Sequence, residues 1–124
     1  MALESNLTCI TAEAGSDLSA AQYTFVAMAS DGAVDQTANA TAAILGVLQN
    51  DPAAGRAATV AVAGVTKLVA AAAIAAGAEI AVQTGGKCRT ASTGLRIHGV
   101  ALTASAADGD IIEVLLLPNG KLAA

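Results

Sequence analysis

At 124 residues the chain is one domain's worth of sequence, and its 55% apolar content excludes intrinsic disorder. Alanine supplies much of that fraction and Tyr23 and Phe25 are the only aromatics, so the core is built from small side chains that stabilise weakly per residue and calls for support from an oligomer or a larger assembly. A net charge of −4 with six scattered Lys and Arg residues excludes the basic footprint of nucleic-acid binding and of docking on an anionic membrane.

The chain opens on MALESNL, which has neither a basic start nor an apolar stretch after it, so no secretory signal is expected. The N-x-T matches at Asn6 and Asn39 are accordingly read as chance. From there, short runs with period-two alternation predict strands at Leu7–Thr11, Gln22–Met28, Ala43–Leu48, Ala57–Ala63, Lys67–Ala70, Ala78–Gln83, Arg96–Thr103 and Ile111–Leu117. Turn signals separate most of them: SDG at Ser30–Gly32, NDPAAG at Asn50–Gly55, TGG at Thr84–Gly86, STG at Ser92–Gly94, ADG at Ala107–Gly109 and PNG at Pro118–Gly120. A short helical piece is expected at Asp35–Ala43, and the alanine run Ala70–Ala76 reads as a connection with about one helical turn, closed by Gly77. That run belongs to no membrane span, because Lys67 and Glu79 confine it to Leu68–Ala78, well short of the roughly 20 residues a spanning helix needs.

Two stretches read as copies of one unit. Ile44, Gly46 and Val47 match Ile97, Gly99 and Val100; Gly55 matches Gly109, Val60 matches Val114, and Lys67–Leu68 match Lys121–Leu122. Upstream, Val26, Met28, Ser30 and Gly32 line up with Ile80, Val82, Thr84 and Gly86. A glycine inside a strand marks a bulge or a close backbone approach. Ala58, Val60 and Val62 form the core face of one copy, and Ile112, Val114 and Leu116 that of the other. The opposite face of the last strand, Ile111, Glu113, Leu115 and Leu117, is too apolar for plain solvent surface. It is either buried between two sheets or a contact surface for a neighbouring subunit.

No constellation for chemistry stands out. His98 is the only histidine and has no nucleophile in a G-x-S-x-G setting; a Cys88–His98 thiol–imidazole dyad is far less expected than an ordinary sheet or interface histidine. Asp108 and Asp110 flank Gly109 as turn residues do. GGKC at Gly85–Cys88 lacks the spacing and the Ser/Thr of a phosphate loop. Cys9 and Cys88 cannot close a zinc site, and a bridge between them is left open. A lipoyl- or biotinyl-like carrier domain is the alternative from another class: such domains are small duplicated β folds with a lysine at a hairpin tip, here Lys87, but the Met-Lys or Asp-Lys-Ala context is missing. A generic β-sandwich interaction module is a further alternative.

The succession AAIAAGAEIAVQTGGKCR followed by IHGVALTASAADGDIIEVLLLPNG is similar to the head decoration (cement) proteins of tailed bacteriophages. The shared elements are an Ala-Gly turn into a strand (Ile74–Val82), a Gly-Lys hairpin (Gly85–Cys88), Gly-Val-Ala (Gly99–Ala101), a loop ending Gly-Asp (Ala106–Asp110) and a last apolar strand (Ile111–Leu117). The likeness runs from about Leu18 onward; the first copy departs from it, with Arg56 where the second has Asp110.

The resemblance implies a mainly β fold: a small antiparallel barrel or sandwich, β-tulip-like, with one or two short helical turns and an N-terminal arm. Residues 1–17 are the arm or a first strand, and 18–124 are a single β domain of two similar units, about 18–68 and 74–122. The implied function is non-catalytic and needs no cofactor. The protein, made in the bacterial host cytoplasm, binds the outer surface of an assembled capsid, stabilises contacts between neighbouring major capsid subunits, and is favoured to be a homotrimer. Leu7, Thr8, Cys9, Ile10 and Thr11 are the candidate capsid contacts, by strand addition to a capsid edge, unless they form the domain's own first strand.

Overall fold

The computed structural model describes residues 7–36, 43–83 and 85–122. Among them nine strands follow in order: β1 (Thr8–Ala14), β2 (Phe25–Ser30), β3 (Ala33–Gln36), β4 (Gly46–Leu48), β5 (Ala57–Val69), β6 (Glu79–Val82), β7 (Cys88–Thr90), β8 (Arg96–Ala101) and β9 (Ile111–Leu122). Their pairings close on themselves twice. In the first ring β1 pairs in parallel with β3, and β3–β2, β2–β4, β4–β5 and β5–β1 are antiparallel. In the second ring β5–β9, β9–β8, β8–β6 and β6–β7 are antiparallel, and a parallel bridge from Ala70 to Cys88 returns β7 to the end of β5.

β5 belongs to both rings. Its alternating Ala, Val and Thr residues suit a strand, and Ala57–Ala63 pair with β1 while Gly64–Val69 pair with β9. The change of partner falls at Gly64, whose φ of 98° only glycine adopts without strain and which kinks the strand as a bulge does.

The same hydrogen bonds recur in the two rings. The Ala14 N–H donates to the Arg56 carbonyl at 2.9 Å and the Gly55 N–H to the Ala14 carbonyl at 2.9 Å. In the second ring the Ala70 N–H donates to Asp110 and the Gly109 N–H to Ala70, both at 2.8 Å. Cross-strand lines recur too: Phe25–Val47–Ala61–Cys9 in the first ring has the register of Glu79–Val100–Leu115–Val65 in the second. Gly46 and Gly99 fill matching positions where the backbone of the next strand comes close. An added Cβ would lie 2.9 Å from Val60 Cγ1 in one case and 2.9 Å from Val114 Cγ1 in the other, with the Ala61 or Leu115 carbonyl closer still.

Two apolar clusters fill the rings. Leu18, Val26, Val34, Leu48 and Val60 pack in the first. Leu68, Ile80, Val82, Ile112 and Val114 pack in the second, together with Phe25, Val47 and Ala61, which the first ring turns toward its neighbour. The core faces expected on β5 and β9 are observed: Ala58, Val60, Ile112, Val114 and Leu116 are buried, and Val62 is partly so.

Several expectations are corrected. No helix occurs among the described residues. The alanine run Ala70–Ala76 is the expected connection but holds no helical turn; its backbone groups bond to distant partners. Ala71 N–H donates to Cys88, Ile74 exchanges bonds with Ser105, and Gly77 N–H donates to Ala101. With its donors committed across the sheet, the run cannot close the i to i−4 ladder despite its propensity. The helical piece at Asp35–Ala43 fares no better where it is described, since Asp35 and Gln36 end β3; residues 37–42, Asn6, Asn39 and Thr84 lie outside the described residues. The PNG segment does not end the last strand. β9 passes from Leu116 to Lys121 while β8 passes only from Gly99 to Ile97, so the extra residues form a bulge within the ladder.

Candidate interaction surface

β9 alternates, and its second face is outside. Ile111, Leu115 and Leu117 are exposed, so they are not sandwiched between sheets. Cross-strand partners share a face, which places Val65 and Val100 beside Leu115, and Lys67 beside Glu113. Leu102, whose N–H donates to the Glu113 carbonyl at 2.8 Å, extends the exposed apolar surface past the end of β8.

Next to this face, where the rings meet, lies a groove of about 420 Å³ lined by Leu7, Tyr23, Gln49, Lys67 and Glu113, among others. Tyr23 has a φ of 62°, a left-handed conformation that costs a non-glycine residue energy. It is held by three contacts to its surroundings. Its N–H donates to Leu48 at 2.7 Å, its carbonyl accepts from the Val69 N–H at 2.8 Å, and its ring lies 5.8 Å from the Lys67 ammonium. Gln49 adds a bond from Nε2 to Thr66 Oγ1 at 2.7 Å.

The residues weighed for chemistry have structural surroundings. His98 is buried at the same junction, its ring 5.4 Å from that of Phe25 and its Nε2 without a hydrogen-bond partner. Burial, and then the positive charge of Arg96, push its pKa down to about 4, so it is neutral at pH 7. Cys88 is a buried free thiol pushed up to about 12 by desolvation, the opposite of an activated nucleophile. Cys9 is free and exposed. Lys87 does not stand alone at a hairpin tip: its ammonium pairs with Asp108 at 2.8 Å. Asp110 Oδ2 accepts the Ala106 and Ala107 N–H groups at 2.8 and 3.1 Å, which is turn chemistry. Among the described residues no group of three His, Cys, Asp or Glu gathers as metal ligands would.

Of the candidate contact residues, Leu7 lines the groove, and Thr8, Cys9, Ile10 and Thr11 lie in β1, paired with β5. They are exposed but are part of the first ring, which their alternation alone did not decide. The Tyr23 and Gln49 contacts were not anticipated; a tyrosine in a left-handed turn has no signature in a single sequence.

The fold is thus a mainly β chain closed twice through one shared strand, with an apolar outer face. The family model described as phage cement protein matches residues 9–116, and the chain belongs to that family. Among solved structures it is similar to the N base of head fiber gp8.5 of bacteriophage phi29, with a TM-score of 0.70 at 18% identity over 95% of this chain and 99% of the other. At that identity the likeness establishes the shared fold. Curated protein sequences yield no match.

Proposed function

We propose that this protein is a non-catalytic cement protein that binds the outer surface of an assembled phage capsid and stabilises contacts between neighbouring major capsid subunits. Membership of the cement family across residues 9–116 carries the reading. The exposed apolar row of Ile111, Leu115 and Leu117 supports it, since such a patch rimmed by polar residues favours a protein partner. On this reading 18–124, with β1 added as its first strand, is one domain of two like units, the working form is a homotrimer, and the exposed stretch from Leu7 to Thr11 touches the capsid while β1 keeps its pairing with β5.

The test is co-sedimentation. The protein should pellet with expanded empty heads and should show no comparable affinity for unassembled capsid subunits; equal binding to both would remove recognition of the assembled shell. Replacing Leu7 and Thr11 by Asp should weaken head binding with little change in melting temperature. Loss of folding instead would make the strand purely structural.

A further inference from the structure

The contact between the two rings leaves matching surfaces uncovered at the two ends of the molecule. The first ring covers the second with Phe25, Val47 and Ala61, each 0% exposed, and with Gln49. Register identifies the counterparts in the second ring. Val100 and Leu115 hold the places of Val47 and Ala61. Leu102 holds that of Gln49, since Gln49 N–H donates to Thr59 and Leu102 N–H donates to Glu113 in the same way. Two of these counterparts lie open, Leu115 at 46% and Leu102 at 45% exposure, and Val100 is half-buried beside them. The apolar face is therefore the surface that the first ring buries against its neighbour, repeated once more with no third ring to receive it.

The receiving side shows the reverse pattern. In the second ring Thr66 is 4% and Val82 0% exposed. Gly86 sits so tightly under the first ring that an added Cβ would lie 2.7 Å from the Phe25 carbonyl oxygen. Their counterparts in the first ring are Ile10, Met28 and Gly32, by the pairings Ile10–Val60 and Met28–Val34 against Thr66–Val114 and Val82–Cys88. Ile10 is 42% and Met28 52% exposed, and Gly32 has open space around it. Apart from Phe25, the junction positions named above thus have an apolar or unobstructed counterpart at an end of the molecule.

We infer that a second copy of this chain docks head to tail, seating its β8–β9 outer face (Val100, Leu102, Leu115) on the open first-ring surface (Ile10, Met28, Gly32) in the manner of the internal junction. Such a contact is heterologous, so repetition closes a ring or extends a fibre. It lacks one anchor: the counterpart of Phe25 is Glu79, so the apolar contact rests on Leu102 and Leu115 and the association is reversible.

The test uses the intact protein without capsid, so it succeeds or fails independently of the cement function. Sedimentation velocity over a concentration series should show wild type shifting to a larger species. Leu115→Glu blocks one end and Met28→Glu the other; both residues are exposed, and unchanged melting temperatures verify folding. Each variant alone should lose the larger species. An equimolar mixture should form a 1:1 heterodimer and stop there, because one good head meets one good tail. Wild type that stays monomeric, or a mixture that stays monomeric, overturns the proposal, as does either variant assembling like wild type.

Discussion

Gly46 and Gly99 offer the sharpest test of how the rings are closed. Replacing either by Ala puts a methyl 2.9 Å from a valine Cγ1 and nearer still to a backbone carbonyl. Carbon atoms settle about 3.5–4.0 Å apart, so strands must part by roughly half an ångström or more against Val60 or Val114. The carbonyl belongs to a strand, β5 or β9, that is hydrogen-bonded on both sides and cannot yield like a side-chain tip. Overpacking of this kind costs about 1–3 kcal/mol, and a backbone obstacle puts both sites at the top of that range. For a chain of this size, about 3 kcal/mol corresponds to a fall in Tm on the order of 10 °C. Gly32→Ala is the control: its φ of 71° carries a conformational cost, but nothing lies within 4 Å of the added methyl. Differential scanning calorimetry should rank Gly46→Ala and Gly99→Ala together, well below Gly32→Ala. If the two fall by less than the control, the close approach does not hold the strands.

Phe25→Ala should cost about 3–5 kcal/mol in urea unfolding, because the ring is fully buried in the second ring's core while its strand belongs to the first; a loss under about 1 kcal/mol would mean the rings do not depend on it. His98 gives a pH signature. Its pKa falls from 6.5 unfolded to about 4 folded, so the unfolded chain binds the extra proton between those values. Its contribution is complete above pH 6.5, is lost as pH falls toward 4, and amounts to about 3 kcal/mol at most. His98→Leu, copying Leu45 of the first ring, should flatten that part of the stability–pH profile; an unchanged slope refutes the assignment. A thiol reagent at pH 8 should label Cys9 at once and Cys88 only on unfolding, since Cys88 is buried and held as the thiol; equal rates would place Cys88 at the surface.

Much of the fold was legible because alternation survives even in an alanine-rich chain. β2, β4, β6, β8 and β9 fall where period two placed them, and the matched glycines Gly46 and Gly99 pointed to a real steric requirement. β3 and β7 escaped notice because each is a few residues long and ends in polar side chains, Asp35–Gln36 and Arg89–Thr90, without a full alternating period. The break expected between Ala63 and Lys67 is absent because Gly64 bends the strand without ending it. The connection at Ala70–Ala76 was legible, but the helical turn that alanine propensity pointed to within it lost to hydrogen bonds with residues far along the chain, which local sequence does not encode. For the contact surface, the apolar second face of β9 was visible as an anomaly, but only the closed rings show which side of it is outside.

The shared strand sets how the molecule bears load. β1 and β9 lie end to end along β5, each antiparallel to it. Tension applied between Ala14 at the outer end of β1 and Ile111 at the outer end of β9 passes through β5 and loads both ladders in shear, instead of peeling their hydrogen bonds one at a time. Neither ring can be drawn open without straining the ladder that closes the other. Pulling on Ala14 and Ile111 in a single-molecule experiment should give one rupture, with separate ruptures counting against this coupling. The strand thus supplies through the backbone a mechanical coupling that a core with so little aromatic bulk does not.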